Sequence, residues 1–360
     1  MRTGIAQMPL HTGRAPAWLF SRMTLLAREI VRFIVEEQGP EDLLRRLSDP
    51  FWFQAFGCVL GFDWHSSGLT TTTCGALKEA LRPIGREIGV YVCGGKGAAS
   101  RKTPVEIAAA CESCGQDAAS LAHASRMAAK VDSAAVQDGY EIYHHSFVFT
   151  TSGRWCVVQQ GMNETSRMAR RYHWLSEKMD DFVCEPHAAV CCDVRGPTLN
   201  LVARESADSR AAIARLASEP PDKVIREASR VANLDLPARH AIIGACDIDP
   251  HRLRTALLAT YEAHATQFSE ILAVRGVGAR TLRALSLIGE VIYGATPSFR
   301  DPARFSYAHG GKDGVPYPLD RETYDRSIEI LRRAVNSARA GAYEKERAIR
   351  RLASIARCPQ

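Results

Sequence analysis

Long apolar runs and a regular cysteine pattern are both missing from this sequence. Nowhere do about 18 uncharged apolar residues follow one another, which is the length that a membrane-spanning helix needs. The segment from Met1 to Leu10 lacks the continuous apolar stretch and the small-residue cleavage site of a secretory signal peptide. The 11 cysteines are scattered, and an odd number leaves at least one thiol unpaired. We therefore expect a soluble, cytoplasmic protein without membrane contact.

A P-loop, an internal repeat of fixed period and a disordered composition are absent as well. The string Gly94-Gly95-Lys96-Gly97 follows a short apolar run but lacks the Gly-x4-Gly-Lys-Ser/Thr spacing of a P-loop. Apolar residues make up 46% of the chain and charged residues 24%, which are ordinary globular values. These absences exclude the P-loop, repeat and wholly disordered classes.

Length and pattern together predict two domains. At 360 residues the chain exceeds the size at which one hydrophobic core usually stops growing. Residues 1–205 combine helical periodicity with β-type runs, which predicts an α+β (mixed α/β) catalytic domain with a small sheet. Residues 206–235 are rich in alanine and charge and contain Pro220 to Asp222, as is typical of a connection. Residues 236–360 are helical by pattern, which predicts an all-α C-terminal domain.

The clearest strand signal is a β-hairpin around Ser152 and Gly153. Two β-rich runs, Tyr140 to Thr151 and Arg154 to Gln160, flank this two-residue connection. With that loop Thr151 lies opposite Arg154, and counting back in pairs places His145 opposite Gln160. The residues on the inward face are then Glu141, His145, Phe147, Phe149, Val158 and Gln160.

The polar residues of that face allow two interpretations. Each buried polar group must be hydrogen-bonded or bound to a ligand, or it costs about 1 to 3 kcal/mol. In the first interpretation, His145 and Gln160 form a satisfied network in the core. In the second, an active site combines Glu141, His145 and also His144 with Asp63 and His65, which lie two residues apart in extended backbone. Aspartate and neutral histidine are both ligands for divalent cations.

The string Gly94 to Gly97 also has two interpretations. Its flexible amides and the ammonium of Lys96 suit a substrate phosphate, with Arg101 and Lys102 close by in sequence. A mobile glycine-rich turn is the alternative.

A zinc site is a weaker prediction. Cys111 and Cys114 have the spacing of a metal-binding pair, and His187 or Cys191-Cys192 would have to complete it. Adjacent cysteines do not reproduce a second knuckle, and the first pair lies in an alanine-rich helical stretch. Small buried residues are the better interpretation.

Basic residues crowd the stretch from Arg275 to Arg304, and Ile271 to Ile288 has the pattern of a helix-hairpin-helix. Gly276 and Gly278 predict a tight turn between two helices, and the first amides of the second helix attract an anion. The expected nucleic-acid-binding residues are Arg275, Gly276, Gly278, Arg280, Thr281, Arg283 and, in a later polar loop, Lys312. The element resembles the helix-hairpin-helix of many repair glycosylases, ligases, nucleases and polymerases. A purely structural αα-hairpin is the alternative.

Several longer strings carry a family resemblance across nearly the whole chain. They are Met8 to Gly13, Ala15 to Phe20, Phe62 to Gly68, His144-His145, Val157 to Asn163 and Phe305 to Gly314. With these strings the chain resembles domain-of-unknown-function family 763, an uncharacterised bacterial and archaeal family. The resemblance implies that the chain is one unit and adds no established activity.

We expect a DNA-binding protein that is a metal-dependent nuclease or a related DNA-processing enzyme. In this hypothesis Asp63, His65 and Glu141 hold a divalent ion (Mn²⁺ or Mg²⁺), His145 is the general base, and Lys96 steadies the phosphate. One alternative is a non-catalytic DNA-binding or scaffold protein. A second is a small-molecule hydrolase or transferase whose basic C-terminus recruits a partner. The oligomeric state stays open.

Overall fold

An antiparallel sheet lies between two sets of helices in the computed structural model of the protein. The structure describes residues 15–62, 67–192, 195–231, 249–303, 321–339 and 341–356. Among these residues, no helix combines the length and apolar character that crossing a bilayer requires.

The regular elements are numbered in chain order. The strands are β1 (Val90–Lys96), β2 (Val136–Gln137), β3 (Glu141–Thr150), β4 (Trp155–Asn163), β5 (Met168–Leu175), β6 (Ala189–Cys191) and β7 (Leu199–Asn200). The helices are α1 (Ala17–Gln38), α2 (Pro40–Ser48), α3 (Pro50–Leu60), α4 (Gly68–Leu81), α5 (Gly85–Ile88), α6 (Ala98–Arg101), α7 (Thr103–Cys114), α8 (Ala118–Lys130), α9 (Ala207–Ala217), α10 (Pro221–Val231), α11 (Pro250–Glu262), α12 (Phe268–Ala273), α13 (Ala279–Tyr293), α14 (Arg321–Ser337) and α15 (Ala342–Ala356). A π-helical turn, Val131–Ala135, extends α8.

Five strands form the main sheet in the order β1-β3-β4-β5-β6, and every neighbouring pair is antiparallel. Strands β2 and β7 pair separately. Because successive side chains of a strand point to opposite faces, each residue of β3 shares its face with its partners in β1 and β4.

One face of the sheet packs against the N-terminal helices. Val148, Cys156 and Val158 belong to the same hydrophobic cluster as the buried residues of α1 to α4. Every residue of α3 is buried, as the aromatic string Phe51 to Phe56 suggests. The Asp49 side chain accepts a 2.7 Å hydrogen bond from the Trp52 amide and so caps the start of this helix. We call this face the N-face.

The other face packs against the middle helices. Phe147, Phe149 and Val157 belong to a cluster that also contains buried residues of α7, α8, α9 and α11 to α13. We call this face the C-face. Its core and that of the N-face are separated by the sheet itself.

The fold class is α+β in the N-terminal region, with the β-hairpin β3–β4 at the centre of the sheet, and all-α in the C-terminal region. The division at residues 205 and 235 stays a prediction. Helices α14 and α15 contact α1 and α3, so the end of the predicted C-terminal domain packs on the N-face helices.

Candidate functional site

The predicted helix-hairpin-helix segment consists of α12, a five-residue connection and α13. Gly276 has φ +96°, a left-handed conformation that favours glycine. Val277 is 1% exposed and anchors the connection in the C-face core. Two helices joined by a short, anchored turn are therefore present where the pattern predicts them.

Gly278 is a glycine that the fold itself does not require. Its φ of −140° and ψ of −172° are extended values that other residues adopt, and a Cβ there would meet nothing within 4 Å. It is the N-cap residue of α13, and no side chain caps that helix. The first amides of α13 consequently have no side-chain acceptor from the N-cap residue, and the helix dipole favours an anion there.

Two side chains from outside the hairpin fix its position. Lys130 at the end of α8 donates to the Val277 carbonyl at 2.5 Å, and burial lowers the pKa of this amine. Gln137 in β2 donates to the Ala279 carbonyl at 2.8 Å and accepts from Nε of Arg283 at 2.7 Å. The predicted phosphate ligand Arg283 is thus half-buried and holds the hairpin against β2.

The other predicted contact residues surround the open turn. Arg275 and Arg280 are exposed, and Thr281 is half-buried. Within the described parts of the chain, neither arginine forms an ion pair, so both guanidinium groups are left for an external anion. Lys312 lies outside the described residues.

The β3–β4 hairpin differs from its prediction by one residue in register. Thr150 N donates to Arg154 O at 2.9 Å, and Gly153, with φ +80°, donates to Thr150 O at 3.0 Å. The loop therefore has three residues, with glycine in the left-handed position, rather than two. As a result His145 lies opposite Gln159, and the predicted pair with Gln160 is wrong.

His145 is part of a saturated network on the C-face. Gln159 donates from Nε2 to Asp132 Oδ2 at 2.5 Å, so its Oε1 accepts from His145 Nδ1 at 2.8 Å. Nε2 of His145 then accepts from the Ser125 hydroxyl at 2.8 Å. Burial lowers the pKa of His145, although Gln159 and Asp132 act in the opposite direction. With both nitrogens engaged, this histidine fits the core-network interpretation better than the general-base hypothesis.

Lys96 lies on the opposite face from His145. In the sheet it pairs with His144, whose side chain is fully buried on the N-face side. Gly94 and Gly95 are paired residues of β1 rather than a loop, and a Cβ on Gly94 would collide with the His145 carbonyl oxygen. The Gly94 amide donates to Glu106 at 2.7 Å. Close packing of strands therefore accounts for these glycines, and the predicted phosphate cradle is not formed here.

The remaining predicted site residues do not join this group. Glu141 is exposed at the start of β3, where it pairs with Met162. Asp63 and His65 lie outside the described residues, so the predicted metal set stays a prediction. Across the described ranges, no group of three or more His, Cys, Asp or Glu side chains is arranged to hold a metal. Cys111 is buried and Cys114 half-buried, as free thiols.

A polar site that the sequence did not reveal lies at the other end of the His145 network. Asp132, in the π-helical turn, accepts from Trp174 Nε1 at 2.9 Å as well as from Gln159, and its Oδ1 lies 2.5 Å from His187 Nε2. Asp132 is 0% exposed, and His187 lines a cavity of about 190 Å³. The only signal in the sequence was His187 itself, as a candidate zinc ligand.

The wall of this cavity is fixed by a second buried network. Arg170 donates to Asp138 at 2.7 Å and to Asp301 at 2.8 Å, and Tyr172 donates to Asp138 at 2.7 Å. Burial, together with the neighbouring Asp138, raises the pKa of Tyr172 and keeps the phenol protonated. Asp301 also accepts from the Gly196 amide at 2.9 Å. Asp301, which lines the cavity, is therefore held in place by Arg170 and by the Gly196 amide.

Comparison with curated proteins and with solved structures finds no match. A family profile does match, over residues 4–319. This range contains the whole sheet, the α12–α13 hairpin and every residue around the cavity. The chain therefore belongs to the family described as "Protein of unknown function (DUF763)".

Proposed function

We propose that this protein binds DNA by contacts between the phosphate backbone and the α12–α13 hairpin. The observation that carries the proposal is Gly278, an uncrowded glycine in an ordinary backbone conformation at the uncapped start of α13. At the uncapped start of a helix, a glycine lets a ligand approach the helix amides closely, because no side chain stands between them.

Charge around the hairpin supports the same proposal. Arg275 and Arg280 are exposed on either side of the turn. Guanidinium groups bind phosphate through paired hydrogen bonds, and such contacts position a protein on nucleic acid without reading its sequence. Lys130 and Gln137 hold the turn in place, so little ordering of the backbone is needed on binding.

The proposed setting is the cytoplasm, because the cysteines among the described residues are free thiols, as in a reducing compartment. Hydrolysis by a metal site at Asp63, His65 and Glu141 is a separate proposal. The hairpin supports binding alone, since Glu141, His145 and Lys96 do not converge on one point of the described structure.

The test is fluorescence anisotropy of a labelled DNA duplex with the full chain, repeated over a series of salt concentrations. Replacing Arg275 or Arg280 with alanine should weaken binding and reduce the salt slope by about 1 for each phosphate that the variant no longer neutralises. Gly278→Ala should weaken binding while the melting temperature stays unchanged. Gly196→Ala is the matched control, because Gly196 is equally uncrowded and lies outside the hairpin.

Equal binding by the wild type, the two arginine variants and Gly278→Ala would overturn the proposal and leave the segment as a structural αα-hairpin. An RNA duplex measured in parallel decides which nucleic acid is preferred. Adding Mn²⁺, Mg²⁺ or a chelator to the same samples, followed by gel analysis, tests the hydrolysis proposal independently, with Asp63→Ala as the variant that should lose any cleavage.

A further inference from the structure

Asp132 and His187 form a carboxylate–imidazole pair, with Oδ1 of Asp132 lying 2.5 Å from Nε2 of His187. Gln159 and Trp174 approach Asp132 with N–H groups and can only donate to it there. Both donate to Oδ2, which leaves Oδ1 for His187. An ionised carboxylate only accepts hydrogen bonds, so with Asp132 in that state the proton of the 2.5 Å contact lies on Nε2 of His187. In neutral His187 the lone pair then lies on Nδ1. An imidazole held in this way is a well-oriented hydrogen-bond acceptor.

The free nitrogen of this pair is available to the cavity. The side chain of His187 is 7% exposed and lines the cavity wall. Within the described parts of the chain, Nδ1 has no hydrogen-bond partner. It is also not fully buried, because the buried side-chain atoms without a partner do not include it. A ligand in the cavity can therefore reach it.

The other polar groups of the wall are mostly acceptors too. Glu185 and Glu205 add carboxylates at the exposed rim, and Glu185 lies 3.9 Å from Arg204. Glu185 also has φ +46°, an uncommon conformation for a residue that is not glycine, as is found at binding sites. The side chain of Arg300 is the main exposed donor of the lining.

This set of groups selects the class of ligand by charge and hydrogen bonding. Of the exposed charged groups at the rim, Glu205 repels a phosphate and Arg300 repels an ammonium group. A neutral group with several hydroxyls satisfies both kinds of partner, because each hydroxyl donates to an imidazole or carboxylate and accepts from a guanidinium. The size agrees, since a cavity of about 150 Å³ holds a six-membered ring and this one has about 190 Å³.

Hydrogen bonds join two of the segments that line the cavity. Asn200 and Ser298 form an isolated β-bridge, with Asn200 N donating to Ser298 O at 2.9 Å. The Asn200 side chain donates to the Arg300 carbonyl at 3.2 Å. The segment that carries Arg300 is thereby tied to β7, and Ser298 N also donates at 2.9 Å to the hydroxyl of Ser206, in the 3-10 turn that carries Glu205.

We propose that this cavity is a binding site for a neutral, hydroxyl-bearing sugar ring, with Nδ1 of His187 accepting a hydrogen bond from a ring hydroxyl. The same chemistry occurs in a free sugar and in the ribose of a nucleoside. The site is separate from the phosphate contacts at the hairpin and does not depend on them.

Calorimetric titration of the full chain with D-ribose, with adenosine and with inorganic phosphate tests this proposal. Saturable binding of ribose and adenosine, without binding of phosphate, is the expected result. Equal affinity for the two ligands indicates that the sugar alone is recognised, and tighter binding of adenosine indicates a nucleoside. His187→Leu should weaken binding about tenfold and Glu205→Gln about threefold, as expected for the loss of one hydrogen bond each.

Glu262→Gln is the matched control for Glu205→Gln, because Glu262 is exposed on α11 and remote from the cavity lining. Glu205 is exposed, so its variant keeps the test valid even where His187→Leu fails to fold. No saturable binding of either ligand, wild-type affinity in both variants, or binding of phosphate in place of the sugars would overturn the proposal. Duplex binding by His187→Leu should equal that of the wild type, which keeps this test distinct from that of the hairpin.

Discussion

His144 and His145 are adjacent in β3, and they have opposite environments. His145 faces the C-face, where Ser125 and Gln159 engage both of its ring nitrogens. His144 faces the N-face, is 1% exposed, and has a partner on neither nitrogen in the described structure. Two adjacent histidines of one strand therefore belong to two different cores, so their contributions to stability have to be measured separately.

The largest expected effect comes from His145→Leu. This change leaves the Ser125 hydroxyl and the Gln159 carbonyl oxygen buried without a partner, at about 1 to 3 kcal/mol each. We expect the free energy of unfolding, measured by urea denaturation at neutral pH, to fall by about 2 to 6 kcal/mol. A change as small as the one expected for His144→Leu would show that the network does not stabilise the fold.

The next effect is on the pH dependence of stability. Burial lowers the pKa of His144 to about 3, and the charges of His145 and Lys96 act in the same direction. Between this value and about 6.5, the unfolded chain binds a proton that the folded chain does not, so stability is present above pH 6.5 and is lost as the pH falls.

The slope of the free energy of unfolding against pH should therefore be shallower in His144→Leu than in the wild type. The full difference for one proton is about 1.4 kcal/mol per pH unit. Urea denaturation at several pH values between neutral and mildly acidic conditions measures it. Parallel curves for the two proteins would mean that the pKa of His144 is the same in the folded and unfolded states.

The strand that carries these two histidines could be predicted from the sequence, but its register could not. Alternation in β3 and periodicity in the helices predict the elements, since both depend on neighbours along the chain. The register of β3 and β4 depends on whether the loop has two or three residues, and a glycine at position 153 suits both. This difference of one residue in loop length decides whether His145 lies opposite Gln159 or Gln160.

The α12–α13 hairpin could likewise be predicted from the sequence, and the cavity could not. The α12–α13 turn was predictable, because its glycines and arginines lie within one short segment. Asp132 and His187 are 55 residues apart, and they meet only because β6 pairs with β5 and a π-helical turn ends α8. No local pattern specifies that arrangement.

At neutral pH, His144→Leu should have little effect. No hydrogen bond of the described structure is removed, and leucine has a similar volume, so we expect a change within about 1 kcal/mol, in the stabilising direction. Urea denaturation beside His145→Leu, with the same substitution at the adjacent position, makes this a matched comparison. A loss equal to that of His145→Leu would reveal a buried partner of His144, such as an ordered water.

The smallest effect should come from Glu141→Gln, at the exposed end of the same strand. Glu141 faces solvent and pairs only through its backbone, so the free energy of unfolding should change by no more than about 0.5 kcal/mol. Glu164→Gln, in the exposed turn between β4 and β5, is the matched control.

The informative measurement is the rise in melting temperature on adding Mn²⁺, because a ligand that binds only the folded state stabilises it. The hydrolysis proposal, with a metal at Asp63, His65 and Glu141, requires a smaller rise in Glu141→Gln than in Glu164→Gln and the wild type, and equal rises in the three proteins would remove Glu141 from that site. A rise that is smaller in Glu141→Gln alone would place this carboxylate at a metal, and the buried His145 network would then be the support of the strand that carries it.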